Sequence, residues 1–368
     1  MQKYDVAAYI WPAYTGDEPR TRIFWEKGIG EWQTVQTAQP VDPSQKLPRI
    51  PLWGYQNEAD PEVMEFQIDQ AKSHGVNVFI YDWYWYDRRP FLEQCLDEGF
   101  LKAKNCADMS FYLMWANHDA TSLWDKRSSR DQTVIWQGSA PLAEFERVCD
   151  RVISLYFSRP NYYKIDGRPV FEIYDVCNLI RGLGGVDETR RALEGFREKV
   201  RAAGFPDVDL QLTLWSENAV DVSGVDSGRT GSTKDIARLL GFDSATHYQF
   251  VHFVNVDRDY SEIIPDVKKE WERIDREYTI PYYPHVSVGW DNSPRYFSRR
   301  GKITKNNTPE NFRKALAEAK AYLDRHPGRH RLVTVNSWNE WTEMSYLEPD
   351  DVNGYGYLDA VREVFGEK

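Results

Sequence analysis

The chain has few of the features that mark metal, redox and nucleic-acid-binding proteins. Its four cysteines show no Cys-x-x-Cys spacing, and its seven histidines are dispersed. Scattered thiols are typical of reduced structural residues and favour a reducing compartment. The net charge of −11 lacks the basic excess that a nucleic-acid partner requires, so no such partner is expected. We also expect no cofactor and no metal; the one arrangement left open is a spatial cluster of His118, Asp119, His247 and His285.

Long apolar runs and targeting signals are also missing. No run reaches the roughly 18 residues of a membrane span. The chain enters a strand-like stretch just after Met1-Gln2-Lys3-Tyr4, so no signal peptide is visible and a cytoplasmic location is expected. A chain trimmed at its N-terminus would look the same, which leaves a periplasmic or secreted location open. The oligomeric state cannot be read from the sequence.

Aromatic residues are abundant. They make up 14% of the chain, with 14 Trp and 22 Tyr, which exceeds what a soluble core requires. Both side chains combine an apolar ring with a polar tip, and such rings stack well on the apolar faces of sugars. The composition therefore favours a polyhydroxylated ligand.

Short apolar runs alternate with helix-period segments, the pattern of repeated βα units. Such alternation predicts a single (β/α)8 TIM barrel over residues 1–368, with extended loops at its C-terminal face. The predicted strands are Val6–Trp11, Val76–Trp85, Ser110–Asn117, Pro169–Asp175, Asp209–Ser216, Ala245–Phe250, Tyr282–Trp290 and Leu332–Trp338. The predicted helices are Pro61–His74, Pro90–Lys104, Pro141–Phe157, Asp187–Ala203, Ser232–Leu240, Tyr260–Tyr278, Thr308–Arg325 and Gly356–Phe365. Two irregular stretches are predicted as loops, Pro12–Asp60 over the barrel mouth and Glu217–Thr233.

The C-terminal ends of the predicted strands carry polar and aromatic residues, and the opposite ends do not. Reacting groups in this fold come from the C-terminal strand ends. Each such Trp is more often packing, and each Asp or Asn more often a cap, but their recurrence at successive strand ends indicates a binding site. The candidates for substrate binding are Tyr9, Trp11, Asp82, Trp83, Trp85, Trp115, Asn117, Tyr174, Trp215, Tyr248, Trp290 and Asp291.

The segment Trp338-Asn339-Glu340-Trp341-Thr342-Glu343 follows the last predicted strand. It joins two carboxylic acids to two indole rings, which is the chemistry of glycosidic-bond cleavage by an acid and a base or nucleophile. If the chain turns helically here, Glu340 and Glu343 lie on one side; if it stays extended, they diverge. Other acids remain candidates for one of the two roles: Asp82, Asp119, Asp175, Glu217 and Asp291.

Several motifs together resemble the WbsX-like proteins, which are similar to the glycoside hydrolase family 99 barrels with their endo-α-mannosidases. The motifs are Glu31-Trp32, Trp115-Ala116-Asn117, Gly289-Trp290-Asp291-Asn292-Ser293-Pro294-Arg295, the segment 338–343, Tyr346-Leu347-Glu348-Pro349-Asp350 and Gly354-Tyr355-Gly356-Tyr357-Leu358. The resemblance implies a barrel that acts on glycans without a metal or nucleotide cofactor. It adds Glu31, Trp32, Arg295, Asn339 and Trp341 to the substrate-binding candidates.

The resemblance also implies roles for the paired acids. Glu340 would deprotonate the 2-hydroxyl of the substrate, giving a 1,2-anhydro sugar, and Glu343 would protonate the departing oxygen and then activate water. The configuration at the anomeric carbon would be retained. Mannose specificity does not transfer, because the loops and the end of the second strand differ.

Three functions follow as hypotheses. The first is an endo-acting glycoside hydrolase, the second a glycosyltransferase or transglycosylase of surface-polysaccharide assembly, and the third a non-catalytic glycan-binding barrel. The sequence contains no Gly-x-Ser-x-Gly motif and no Gly-rich phosphate loop. A carboxylated or sulfated sugar is a further hypothesis, motivated by arginines near the strand ends: Arg88, Arg89, Arg295, Arg299 and Arg300.

Overall fold

Eight parallel strands form the centre of the molecule. The fold is that of a computed structural model, which describes residues 4–16, 18–129, 131–215, 231–297 and 301–366. The strands β1 to β8 are Asp5–Ile10, Val78–Tyr86, Ser110–Trp115, Arg168–Ile173, Asp209–Leu214, Ser244–His247, His285–Ser287 and Leu332–Asn336. Each pairs with the next in parallel from β1 to β6, β7 pairs with β8, and β8 pairs with β1. A parallel bridge between Ala245 and Tyr282 links β6 to the residues before β7, so the predicted TIM barrel is confirmed.

Helices surround this barrel. Helices α1 to α9 are Trp32–Gln36, Pro61–Ser73, Leu142–Val152, Val176–Leu183, Val186–Ala202, Thr233–Leu240, Tyr260–Glu277, Pro309–Asp324 and Gly356–Phe365. Within the described ranges, no helix is long and apolar enough to cross a membrane. Two helices begin as the sequence predicts, because Asp60 and Thr308 cap them and a proline follows each cap.

The predicted helix Pro90–Lys104 is wrong. Residues Arg89–Phe91 instead pair antiparallel with the end of β2, followed by a π-helical turn over Cys95–Gly99 and a 3-10 turn over Phe100–Lys102. A Cβ at Gly99 would lie 2.0 Å from the carbonyl oxygen of Glu58. The close approach of another segment therefore sets the conformation here, and local helix signals do not.

The sequence also missed a helix. Helix α4 begins directly after β4, and the Asp175 carboxylate caps it by accepting a hydrogen bond from the Asn178 amide at 2.8 Å. A capping carboxylate has a structural role. Asp175, one of the alternative acids, is therefore a helix cap.

The loop predicted over the barrel mouth lies there. Residues 12–60 include α1 and a 3-10 turn over Pro19–Ile23, and the Glu31 amide donates to the Ala13 carbonyl at 2.9 Å. Further along, the Gln45 side chain donates to Asp291 and to Ser293, residues that follow β7. The loop thus brings Glu31 and Gln45 to the C-terminal face. Most of the second predicted loop, residues 216–230, lies outside the described residues, and Thr233 begins α6.

Candidate active site

The segment after β8 turns back on itself. Residues Asn339–Glu340 pair antiparallel with Ser345–Tyr346, and a 3-10 turn over Trp341–Glu343 joins the two short strands. The Ser337 hydroxyl accepts a hydrogen bond from the Glu340 amide at 2.7 Å, which fixes the entry to the turn. Of the two alternatives that the sequence left open, the turned one is present, and Glu340 and Glu343 lie on the same side.

A single guanidinium joins the two acids. Arg295, from a 3-10 turn after β7, donates from Nη2 to Glu340 Oε1 at 2.7 Å and from Nη1 to Glu343 Oε1 at 2.6 Å. Its Nε donates to Glu31 Oε1 at 3.2 Å. Arg295 is only 5% exposed, so all three ion pairs are shielded from solvent. The guanidinium thus holds one oxygen of each carboxyl group within hydrogen-bond distance of its neighbouring nitrogens.

Burial controls the protonation of these acids. Loss of solvent raises the pKa of Glu340 well above its usual range, and the neighbouring Glu343 carboxylate raises it further, while Arg295 opposes both effects. Burial likewise raises the pKa of Glu343, and the charge and hydrogen bond of Arg295 lower it. Two carboxyl groups this close share their protons as a coupled pair. The pair can therefore hold one proton between them, so that one carboxyl is protonated while the other is charged.

Both acids line a cavity at the C-terminal face, the main pocket, of about 280 Å³. Most barrel strands contribute to its wall. The lining residues are Trp11, Asp82, Tyr84, Met114, Ala116, His118, Leu123, Trp124, Tyr174, Trp215, Tyr248, Arg295, Glu340 and Glu343. Six predicted binding residues and both predicted catalytic residues therefore meet in one place: Trp11, Asp82, Tyr174, Trp215, Tyr248, Arg295, Glu340 and Glu343.

A third acid, Asp82, belongs to the same pocket. Its Oδ2 accepts a hydrogen bond from the Tyr248 hydroxyl at 2.8 Å, and its Oδ1 has no hydrogen-bond partner among the described residues. Burial raises the pKa of Asp82 well above its usual range, and the Tyr248 hydrogen bond opposes this. Trp215, 39% exposed, stacks on His252 at the rim with ring centroids 4.1 Å apart. The pocket thus offers aromatic surfaces and acidic hydrogen-bonding groups, as sugar recognition requires.

Three predicted binding tryptophans lie outside the barrel wall. Trp83 and Trp85 donate from their indole N–H to Glu93 and Glu144, and Trp115 stacks on Phe145 in α3. Side chains alternate along a strand, so Asp82 and Tyr84 line the pocket while their neighbours on β2 point to the helices. These three residues do not take part in the main pocket.

Other predicted binding residues support the pocket from behind. Glu31 accepts hydrogen bonds from Trp11 Nε1 at 2.6 Å and from Thr342 Oγ1 at 3.0 Å. Tyr9 donates to the buried Glu172 inside the barrel at 2.9 Å. Trp32, Trp341 and Asn117 are buried: Trp32 packs on Trp341, Trp341 stacks on Tyr346, and Asn117 bonds the backbone of Asp175.

A second pair of buried acids anchors residues 339–341, and the sequence did not predict it. Glu58 accepts two hydrogen bonds from Asn339 Nδ2, at 2.9 and 3.0 Å, and Glu348 accepts one from Trp341 Nε1 at 2.6 Å. Asn339 and Trp341 are the residues on either side of Glu340. Burial raises the pKa of Glu58 to about 7 and that of Glu348 well above its usual range. The position of Glu340 therefore depends on these acids.

Trp290 and Asp291 line a different cavity, the side pocket, of about 240 Å³. It lies on the other side of residues 340–344 and also includes Lys46, Arg49, Lys305, Asn307, Met344 and Tyr346. The two residues after β7 are thus at the C-terminal face, as expected, but not in the main pocket.

Several lining residues were not among the site predictions: Tyr84, Met114, Ala116, His118, Leu123 and Trp124. The alternation around Asp82 could have identified Tyr84 and Met114, since β2 and β3 run in register with Asp82 beside Met114. Leu123 and Trp124 come from a 3-10 turn beyond β3, and no local sequence signal places that turn over the barrel.

The buried histidines considered as metal ligands, His247 and His285, form hydrogen bonds with different side chains. His247 Nδ1 pairs with the Tyr282 hydroxyl at 2.7 Å, and His285 pairs with Thr334 and Ser287. In the part of the chain that the structure describes, no three His, Cys, Asp or Glu side chains are arranged to hold a metal. Arg88 and Arg89 are exposed and do not line the main pocket, while Arg299 and Arg300 fall outside the described residues.

The parallel barrel and its paired carboxyl groups define the class of fold and site, a (β/α)8 barrel with two neighbouring acids at its C-terminal face. The family model described as "Glycosyltransferase WbsX" matches residues 6–361. The chain belongs to that family.

The chain is also similar to individual curated proteins. The chain is 28% identical over 363 residues to the uncharacterized protein WxcX of Xanthomonas campestris pv. campestris, covering 94% of this chain and 47% of that protein. The chain thus spans about half the length of the curated relatives it matches.

Among solved structures, the fold is similar to that of a "Glycoside hydrolase-like protein", with a TM-score of 0.62, 15% identity, and coverage of 100% of this chain and 95% of that one. It is also similar to the glycoside hydrolase family 99 endo-α-mannosidase from Bacteroides thetaiotaomicron, with a TM-score of 0.59, 14% identity, and coverage of 100% and 97%. At these identities the likeness concerns the fold.

Proposed function

We propose that the protein is a glycoside hydrolase that cleaves a glycosidic bond within an oligo- or polysaccharide, with Glu340 and Glu343 as its proton-transfer groups. One observation carries the proposal: both acids reach the same pocket and bind the same guanidinium, that of Arg295. Glycosidic-bond cleavage needs one carboxyl that delivers a proton and one that removes a proton near a single acetal carbon. The aromatic lining would hold the sugar rings.

In the proposed first step, Glu340 takes the proton of the substrate 2-hydroxyl. The freed oxygen attacks the anomeric carbon, the bond from this carbon to the leaving oxygen breaks, and Glu343 donates its proton to that oxygen. In the second step, Glu343 removes a proton from water as the water oxygen opens the 1,2-anhydro ring, and Glu340 returns its proton to the 2-oxygen. Two inversions at the anomeric carbon give net retention. In the free site the Glu343 charge raises the pKa of Glu340, which favours the proton on Glu340, so the proposed first step requires this proton to move to Glu343 when the substrate binds. Arg295 bonds both carboxyl groups and supports this transfer because it stabilises whichever of them is charged.

The test is a screen of neutral and acidic glycans with the wild-type protein and Glu343→Gln, with the product anomer followed by NMR. Acid–base groups contribute about 10²–10⁴-fold, so Glu343→Gln should lose at least about 100-fold in turnover and keep glycan binding. Glu310→Gln, an exposed residue of α8, is the matched control and should behave as wild type. Equal turnover by wild type and Glu343→Gln would refute the proposal.

Glycosyl transfer is the second candidate, because the family description names a glycosyltransferase. The same two acids serve transfer if a sugar hydroxyl, rather than water, attacks in the second step. Products longer than the substrate, formed in the presence of a second glycan, would favour a transglycosylase over a hydrolase. Binding without any turnover across the panel would favour a non-catalytic glycan-binding barrel.

A further inference from the structure

The side pocket shares a wall with the main pocket. Glu343 lines the main pocket, and the next residue, Met344, lines the side pocket. Met344 has a left-handed backbone with φ of 52°, which turns the chain sharply at this point. The Asp291 amide donates to the Glu343 carbonyl at 2.8 Å and closes the wall from the side of β7. A glycan that lies across this wall would reach both cavities.

The lining of the side pocket has the chemistry of a sugar-binding site. Trp290 is half-buried and offers an aromatic surface. Around it stand amide side chains, each of which contains a donor and an acceptor for sugar hydroxyls: Asn306, Asn307 and Asn353. None of these residues belongs to the main pocket.

The charge of the side pocket is basic. Among the described residues, the ammonium groups of Lys46 and Lys305 take part in no ion pair. Arg49 donates to Asp350 at 2.9 Å, and its Nε has no hydrogen-bond partner in the described ranges. The carboxyl of Asp291 is already engaged by Gln45 at 2.5 Å and by the Ser293 amide at 3.0 Å. The side pocket therefore contains two lysines without an ion-pair partner among the described residues, and one acid, Asp291, whose carboxyl is already hydrogen-bonded within the protein.

The main pocket has the opposite character. It is lined by Asp82, Glu340 and Glu343, and its single arginine is already bound by carboxylates. A carboxylated or sulfated sugar would be repelled there, because like charges in a poorly solvated site interact strongly. Arg295, one of the arginines that motivated the idea of an acidic sugar, serves the catalytic acids instead.

We propose that the side pocket binds an acidic sugar residue of the glycan, carboxylated or sulfated, at a position remote from the bond that is cleaved. The inference rests on the proposed function, since it makes this residue part of the same substrate. Trp290 supports the ring of this sugar, and Lys46 and Lys305 contact its acidic group. The bond to be broken then lies at a neutral sugar in the main pocket.

NMR-monitored titration of the Glu343→Gln protein tests this without interference from turnover. The probes are oligosaccharides containing glucuronic acid, galacturonic acid or glucose 6-sulfate, each with its neutral counterpart. Charge-assisted hydrogen bonds are worth about 1.5–3 kcal/mol, so Lys46→Gln and Lys305→Gln should each weaken binding of an acidic probe by about tenfold or more. Lys302→Gln is the matched control, because Lys302 is exposed and does not line the pocket.

The outcomes separate the two proposals. Absence of binding by every acidic probe, equal binding by the neutral counterparts, or an equal loss in Lys302→Gln would overturn the side-pocket proposal and leave the catalytic one standing. Acidic probes that bind through Lys46 and Lys305 would support it. If the wild-type protein then cleaved none of these glycans, the proposed hydrolase would fail while the binding site held.

Discussion

The main pocket and the side pocket lie on opposite sides of the same short segment, residues 340–344, and they differ in charge. In the main pocket, buried acids crowd around Arg295, and burial raises the pKa values of Glu340 and Glu343. In the side pocket, Lys46 and Lys305 are exposed and belong to no ion pair among the described residues. The comparison shows that one turn of chain separates an acidic pocket, for which we propose proton transfer, from a basic pocket, for which we propose sugar recognition.

Loss of a cation should lower the free energy of unfolding far more in the main pocket than in the side pocket. Arg295→Met leaves three buried carboxylates without their counter-charge, and breaking a buried ion pair in this way costs about 3–5 kcal/mol. We expect a loss of that size in the free energy of unfolding, measured by denaturant titration, together with loss of turnover. Lys305→Met, in the side pocket, is the control and should change stability by less than about 0.5 kcal/mol. Equal stability of Arg295→Met and wild type would show that Arg295 does not hold the acids together.

Glu58, which accepts hydrogen bonds from Asn339 next to Glu340, should make the stability of the protein depend on pH. Burial raises the pKa of Glu58 from 4.5 to about 7, so the folded state keeps this proton at pH values where the unfolded chain has lost it. The stabilisation is complete below about pH 4.5 and is lost as the pH rises to about 7. In Glu58→Gln the decline over this window should shrink by about 3 kcal/mol, because each unit of the pKa shift from 4.5 to about 7 is worth about 1.4 kcal/mol. Thermal or denaturant unfolding at several pH values checks this.

Glu98→Gln, an exposed residue, is the control for the pH experiment, and its stability profile should follow that of wild type. A Glu58→Gln profile that runs parallel to wild type across the whole window would mean that Glu58 is already charged in the folded protein.

The smallest effect is expected outside both pockets. Trp85→Phe removes an indole N–H that donates to Glu144 at 3.1 Å on the outer face of β2. We expect a loss of about 1 kcal/mol in stability and unchanged turnover. Trp11→Phe is the informative partner, since Trp11 lines the main pocket and bonds Glu31, and it should lower turnover. Reduced turnover in Trp85→Phe would place this residue in the binding site after all.

Sequence periodicity was sufficient for the barrel, since eight buried strands alternating with helices have few other arrangements. The motif after the last predicted strand was sufficient to identify Glu340 and Glu343 as candidate catalytic residues. Whether they converge was left open, because the answer depends on Arg295, which lies 45 positions earlier in the chain and binds both. Contacts between distant segments carry no local signature.

Two errors have particular causes. Trp83 and Trp85 were grouped with Asp82 by residue type, although the period of two along a strand separates them. The predicted helix over 90–104 had the expected starting proline, but the pairing of Arg89–Phe91 with β2 and the close packing of Gly99 on Glu58 outweighed it.

The acids Glu58 and Glu348 were missed because burial, which gives them their importance, cannot be read from sequence.

Turnover of a cleaved glycan by Glu340→Gln, compared with wild type and with Glu348→Gln, tests the central claim most directly. Glu340→Gln should bind the glycan and lose at least about 100-fold in rate. Glu348→Gln preserves an acceptor for the Trp341 indole and should keep most of the rate. A Glu340→Gln protein that cleaves the glycan at the wild-type rate would contradict the assignment of this carboxyl to the chemistry.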